Sequence, residues 1–158
     1  MILDNKYQPA FTLIELLVTT SIIMLIAGFG LASWRTFNQQ QTLDAAAQDL
    51  KNNLRLARSW AMTVKKVDCV GTSGGYKVDF SGDTGDNADY GIKEMCGDSE
   101  VGNWQNFSYP EDVADDYDGS FVFAPLKGTK NPPGDIEITL RLSGREKKVY
   151  IKTNGEIE

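Results

Sequence analysis

The chain has 158 residues, 41% hydrophobic and 24% charged, with a net charge of −6 and no histidine. That length holds one domain, or one domain and an appendage. The absence of histidine excludes imidazole acid–base chemistry and histidine-ligated zinc, and two cysteines are too few for a zinc ribbon.

The charge is unevenly distributed. Glu15 is the single charged residue between positions 11 and 34, residues 35–66 are net basic, and residues 67–158 carry the acidic excess. An acidic head is a poor electrostatic partner for nucleic acid, whose affinity comes mainly from Lys and Arg neutralising phosphates. It is also rich in Val, Ile, Phe and Tyr, which argues for a packed domain over a disordered tail.

Residues 11–34 form an apolar run long enough to cross a hydrocarbon core of roughly 30 Å as a helix. The run is too long for a cleaved secretory signal, and its small residue, Ala10, precedes it instead of following it. A plain membrane anchor leaves Glu15 unexplained. A carboxylate at membrane depth costs about 2.5–3.5 kcal/mol and marks function by default.

The segment Ala-Phe-Thr-Leu-Ile-Glu-Leu-Leu-Val at residues 10–18 resembles the class III signal of type IV pilins and type II secretion pseudopilins. The resemblance implies that residues 1–10 are a leader cut by a membrane prepilin peptidase at the Ala10–Phe11 bond. Phe11 then becomes an N-methylated terminus. Glu15 becomes an assembly residue, its carboxylate neutralising the ammonium of Phe11 on a neighbouring subunit; a Glu that only snorkels to the interface is the alternative. Two departures stand out: Ala10 replaces the usual Gly, and the usual late Pro is missing, with Ala32 near its place. Gly28 and Gly30 are candidates for a bend in this helix, with close packing at small residues the competing reading.

Beyond Trp34, the residues Leu43, Ala47, Leu50, Leu54, Ala57, Ala61 and Val64 recur at spacings of 4 and 3, an uninterrupted helical stripe. Alanine-rich spacing suits a helix lying close on a sheet better than a coiled-coil seam. One helix over residues 11–66 is expected, with 11–34 as the transmembrane or filament-core half and 35–66 as the amphipathic half. The stretch over residues 43–59 is similar to GspH/FimT-type minor pseudopilins.

From residue 67 the period changes to two, so residues 67–158 read as an antiparallel β head and the chain as α+β with a pilin-like fold. Strands are expected around Tyr76, Val78 and Phe80, over 90–95, over 104–109 and at 121–123. Ile136, Ile138, Leu140 and Leu142 alternate cleanly, and a hairpin turns at Ser143 and Gly144 toward Val149 and Ile151. Residues 156–158 read as a tail strand after a turn at Asn154 and Gly155. Loops are expected over 71–75, 81–89, 111–119 and 128–134.

Cys69 and Cys96 are a candidate disulfide if the head lies outside the cytoplasm; two buried reduced thiols are the alternative. Asp83, Asp86 and Asp89, with Asp79 and Asn87 nearby, offer a weak calcium possibility, but their spacing departs from an EF-hand loop. That loop and the second acidic one (Glu111, Asp112, Asp115, Asp116, Asp118) read better as solvated surface. No nucleophile motif occurs and none calls for a cofactor, so no enzyme is expected.

The expectation is a structural subunit in the inner membrane, single-pass, with its head outside the cytoplasm. Its partners are other pilins or pseudopilins, the prepilin peptidase and the inner-membrane assembly platform. The rival is a DNA-uptake pseudopilin, for which Arg145, Lys147, Lys148 and Lys152 offer a small basic cluster against the tail Glu156, Ile157 and Glu158.

Overall fold

The structure is a computed structural model that describes residues 11–63, 73–82, 84, 88–125, 128–130 and 134–158, without the side chains of 29–33, 73, 128 and 130. One helix, α1 (Leu13–Thr63), is followed by eight strands. They are β1 (Ser73–Asp79), β2 (Tyr90–Cys96), β3 (Ser99–Phe107), β4 (Ala114–Asp115), β5 (Ser120–Ala124), β6 (Gly128–Lys130), β7 (Ile136–Leu142) and β8 (Arg145–Ile151). The chain divides into two units, Met1–Asn38 and Gln39–Glu158, and α1 passes through both.

In the first unit α1 runs without interruption through Gly28 and Gly30. Leu13, Ile14, Leu16, Leu17 and Val18 are all exposed, as are Ile22 to Ile26. Such near-consecutive positions cover every side of a helix, so this segment has no polar face toward water. Among the described residues, no helix is long and apolar enough to cross a membrane. The described side chains of the apolar run stop at Gly28 and resume at Trp34.

The second unit is α+β. The expected stripe is its core: Leu43, Ala47, Leu50, Leu54, Ala57 and Ala61 are buried, joined by Ala46, while Val64 lies outside the described residues. Burying a Leu side chain such as Leu50 or Leu54 contributes about 1.5–3 kcal/mol. The same core holds Tyr76, Val78, Tyr90, Ile92, Phe121 and Phe123 from one sheet and Ile136, Ile138, Leu140, Val149 and Ile151 from the other.

There are two antiparallel sheets. One has the order β3-β2-β1-β5-β6 and the other β4-β7-β8. The hairpin at Ser143 and Gly144 is as expected, with Ile136 opposite Ile151 and Leu142 opposite Arg145. Both turn residues have positive φ, 49° and 79°, the requirement of a type I′ turn.

Several expectations are corrected. The helix starts at Leu13 instead of residue 11, because Thr12 caps it. Residues 73–75, read as loop, belong to β1. Gly75 has φ 107°, and a Cβ there would lie 2.0 Å from the Phe123 carbonyl oxygen, so glycine is what lets β1 pass β5. β3 begins at Ser99, five positions earlier than expected, and stops at Phe107 instead of residue 109. β4 and β6 interrupt stretches read wholly as loops. The tail is no strand of its own, but a single bridge joins Ile157 to Ile151.

Candidate assembly site at the helix N-terminus

The first turn of α1 organises the residues around Glu15. The Thr12 hydroxyl accepts the Glu15 backbone N–H at 3.3 Å, and the Thr12 carbonyl accepts that of Leu16 at 3.2 Å. Thr12 is therefore the N-cap, satisfying a donor that the helix leaves open. Threonine followed three residues later by glutamate is the capping-box spacing. This cap is legible in the sequence but hidden there by the longer apolar pattern. A carboxylate in the first turn also meets the positive end of the helix dipole.

Glu15 is exposed and has no ion pair among the described residues. Phe11, four residues earlier, is 80% exposed. Three described hydroxyls of this apolar segment are satisfied internally. Thr19 donates to the Leu16 carbonyl at 3.0 Å, Thr20 to Leu16 at 2.9 Å and Ser21 to Leu17 at 2.7 Å. Back-bonding of this kind hides polar groups from an apolar surrounding. A Cβ at Gly28 would meet nothing within 4 Å among the described residues. Ala10 lies outside the described residues, and so does the side-chain environment of Gly30.

The other candidates lie in the head. Asp83 and Asp86 are outside the described residues, and no group of His, Cys, Asp or Glu able to hold a metal occurs among the described ones. Asp89 serves the fold, its Oδ2 accepting the Tyr109 backbone N–H at 2.6 Å. Asp79 is buried, accepts the backbone N–H of Ser81 at 2.9 Å and pairs with Lys77 at 2.8 Å.

The second acidic loop also has a structural role. Asp115 accepts the Tyr117 backbone N–H at 3.2 Å and Asp116 that of Thr139 at 2.8 Å. Burial pushes the Asp115 carboxyl up to about 6, helped by the nearby charges of Asp89 and Asp116. The buried Tyr109 hydroxyl lies toward it but completes no hydrogen bond.

The three lysines of the basic cluster form ion pairs within the chain, and its arginine binds a neutral amide. Lys147 pairs with Asp44 at 2.7 Å, Lys148 with Glu137 at 2.6 Å and Lys152 with Glu158, while Arg145 donates to Gln40 at 3.0 Å. Sequence order could not show these pairings, because Asp44 and Gln40 stand over a hundred positions away on the helix. Another unforeseen arrangement is Trp104, whose ring lies 5.6 Å from the Lys77 ammonium and 5.0 Å from that of Lys93. Cys96 is disulfide-bonded; the other cysteine of the sequence, Cys69, lies outside the described residues.

The capped first turn of α1, with Glu15 in it, lies within a stretch that carries a type IV pilin-type signal. The family model for the prokaryotic N-terminal methylation motif matches residues 5–31. No curated protein and no solved structure matches the chain.

Proposed function

We propose that the chain is a minor pilin or pseudopilin of a type IV pilus or a type II secretion pseudopilus. It is inserted in the inner membrane through residues 11–34 with its head outside the cytoplasm. A prepilin peptidase cuts it after Ala10 and methylates Phe11, and the subunit then assembles through its N-terminal helix. The observation that carries this reading is the methylation motif over residues 5–31, laid on a helix whose apolar side chains are exposed all round. Such a surface needs lipid or neighbouring helices to cover it.

Within this superfamily the GspH/FimT type is favoured by the sequence pattern over residues 43–59. The alternative, DNA uptake, is weakened by the pairing of all three lysines in the cluster. It would show as salt-dependent DNA binding. The main test is mass spectrometry of chain produced together with a prepilin peptidase. The expected N-terminus is Phe11 carrying a methyl group. An intact Met1, or a cut beyond Ser33, would overturn the proposal.

A further inference from the structure

The end of the apolar run carries two large aromatic side chains that the described residues leave largely exposed. Trp34 is 70% exposed and Phe37 58% exposed, and at a spacing of three they share one face of α1. The other two tryptophans are engaged: Trp60 packs on Tyr76 with ring centroids 5.5 Å apart, and Trp104 lies under two lysines. Between the exposed aromatics sits Arg35, exposed and the first basic residue after Lys6. Gln39, Gln40 and Gln41 follow.

Within eight positions the helix passes from the apolar run through two aromatics flanking an arginine to amide side chains. That order matches the layers met on leaving a bilayer. Trp prefers the headgroup level, where its ring is part apolar and part hydrogen-bonding, and a guanidinium is drawn to lipid phosphates. The distance agrees, since α1 rises about 28 Å from Glu15 to Trp34 against a hydrocarbon core of about 30 Å.

Resting on the membrane reading above, we infer that Trp34, Arg35 and Phe37 form an interfacial anchor that seats in the phospholipid headgroup layer of the leaflet nearest the head. The anchor fixes how deep the helix sits before assembly. It sets the level of Glu15 near the opposite face, where the carboxylate avoids the bilayer centre.

The test uses the full chain in vesicles of phosphatidylcholine and phosphatidylglycerol. Trp60→Phe and Trp104→Phe leave Trp34 as the sole tryptophan. Bromines placed near the headgroup end of the acyl chains should quench Trp34 about twofold more than bromines near the chain ends. A Trp34→Phe, Phe37→Trp exchange in the same background should give the same order. If the replaced head misfolds, wild type compared with Trp34→Phe isolates the Trp34 signal by difference. Stronger quenching by the deep bromines would overturn the anchor. So would vesicle-bound chain whose Trp34 is quenched by neither lipid, as when a second subunit covers that face; the membrane reading would then stand alone. Chain recovered wholly free of vesicles would overturn the membrane reading and the anchor together.

Discussion

Asp115 and Glu15 are both carboxylates, one part-buried in the head and one exposed in the first turn of an apolar helix segment. Because burial lifts Asp115 to about 6, the folded head holds its proton more tightly than the unfolded chain does. The contribution to stability is greatest at low pH and is lost as the pH rises from about 4 through 6. Asp115→Asn keeps an acceptor for the Tyr117 N–H and removes the charge. At pH 7.5 it should raise stability by about 1–2 kcal/mol, less than full linkage because the side chain is part-exposed. By pH 4 the two melting curves should converge; an equal gap at both pH values would exclude titration of Asp115 as the cause. For Glu15 the expected effect is on assembly. Glu15→Val should leave membrane insertion and cleavage intact but abolish incorporation, since breaking one side of a buried ion pair costs about 3–5 kcal/mol. Glu15→Gln should be intermediate. Cross-linking to partner subunits reads the outcome, and equal yields for wild type and Glu15→Val would reduce Glu15 to a tolerated membrane charge.

The helix stripe and the β7–β8 hairpin were legible because each repeats one period long enough to be seen. Ile136, Ile138, Leu140 and Leu142 alternate without a break, and every described member of the Leu43–Ala61 series is buried. β4 and β6 were illegible for the opposite reason. Two or three residues carry no period, and they are strands only because β7 and β5 offer edges to pair with. The acidic loops misled about their role, since sequence shows charge but not which backbone N–H each oxygen accepts. Likewise Ser73, Gly74 and Gly75 have the composition of a loop, yet this glycine pair lets β1 fit between β2 and β5. A Cβ on Gly74 would come within 2.2 Å of the Gly97 carbonyl oxygen, and the space at Gly75 is tighter still. Gly75→Ala meets both a forbidden φ and a backbone clash, and should destabilise the head by about 3 kcal/mol or more. A denaturant midpoint within about 0.5 kcal/mol of wild type would show that β1 can shift register there.

The head is also expected to be closed by a covalent link. Cys96 ends β2 in a disulfide, and the only other cysteine in the sequence is Cys69, between helix and first strand. A loop of that size should stabilise the fold by roughly 3.5 kcal/mol on the chain-entropy model. Reduction should therefore lower the melting temperature by several degrees, and alkylation should be slow until reductant is added. Thiols that label freely in the native head would dismiss the link. The placement of the helix within the head has a mechanical consequence. Its buried stripe shares one core with both sheets, and Arg55, Arg58 and Asp44 bind the Ile157 carbonyl, the Asn154 carbonyl and Lys147. A pull directed along the helix meets these contacts side by side, so they must shear together instead of peeling one after another. Survival under load is set by the rate of that single event and not by the equilibrium stability of the head.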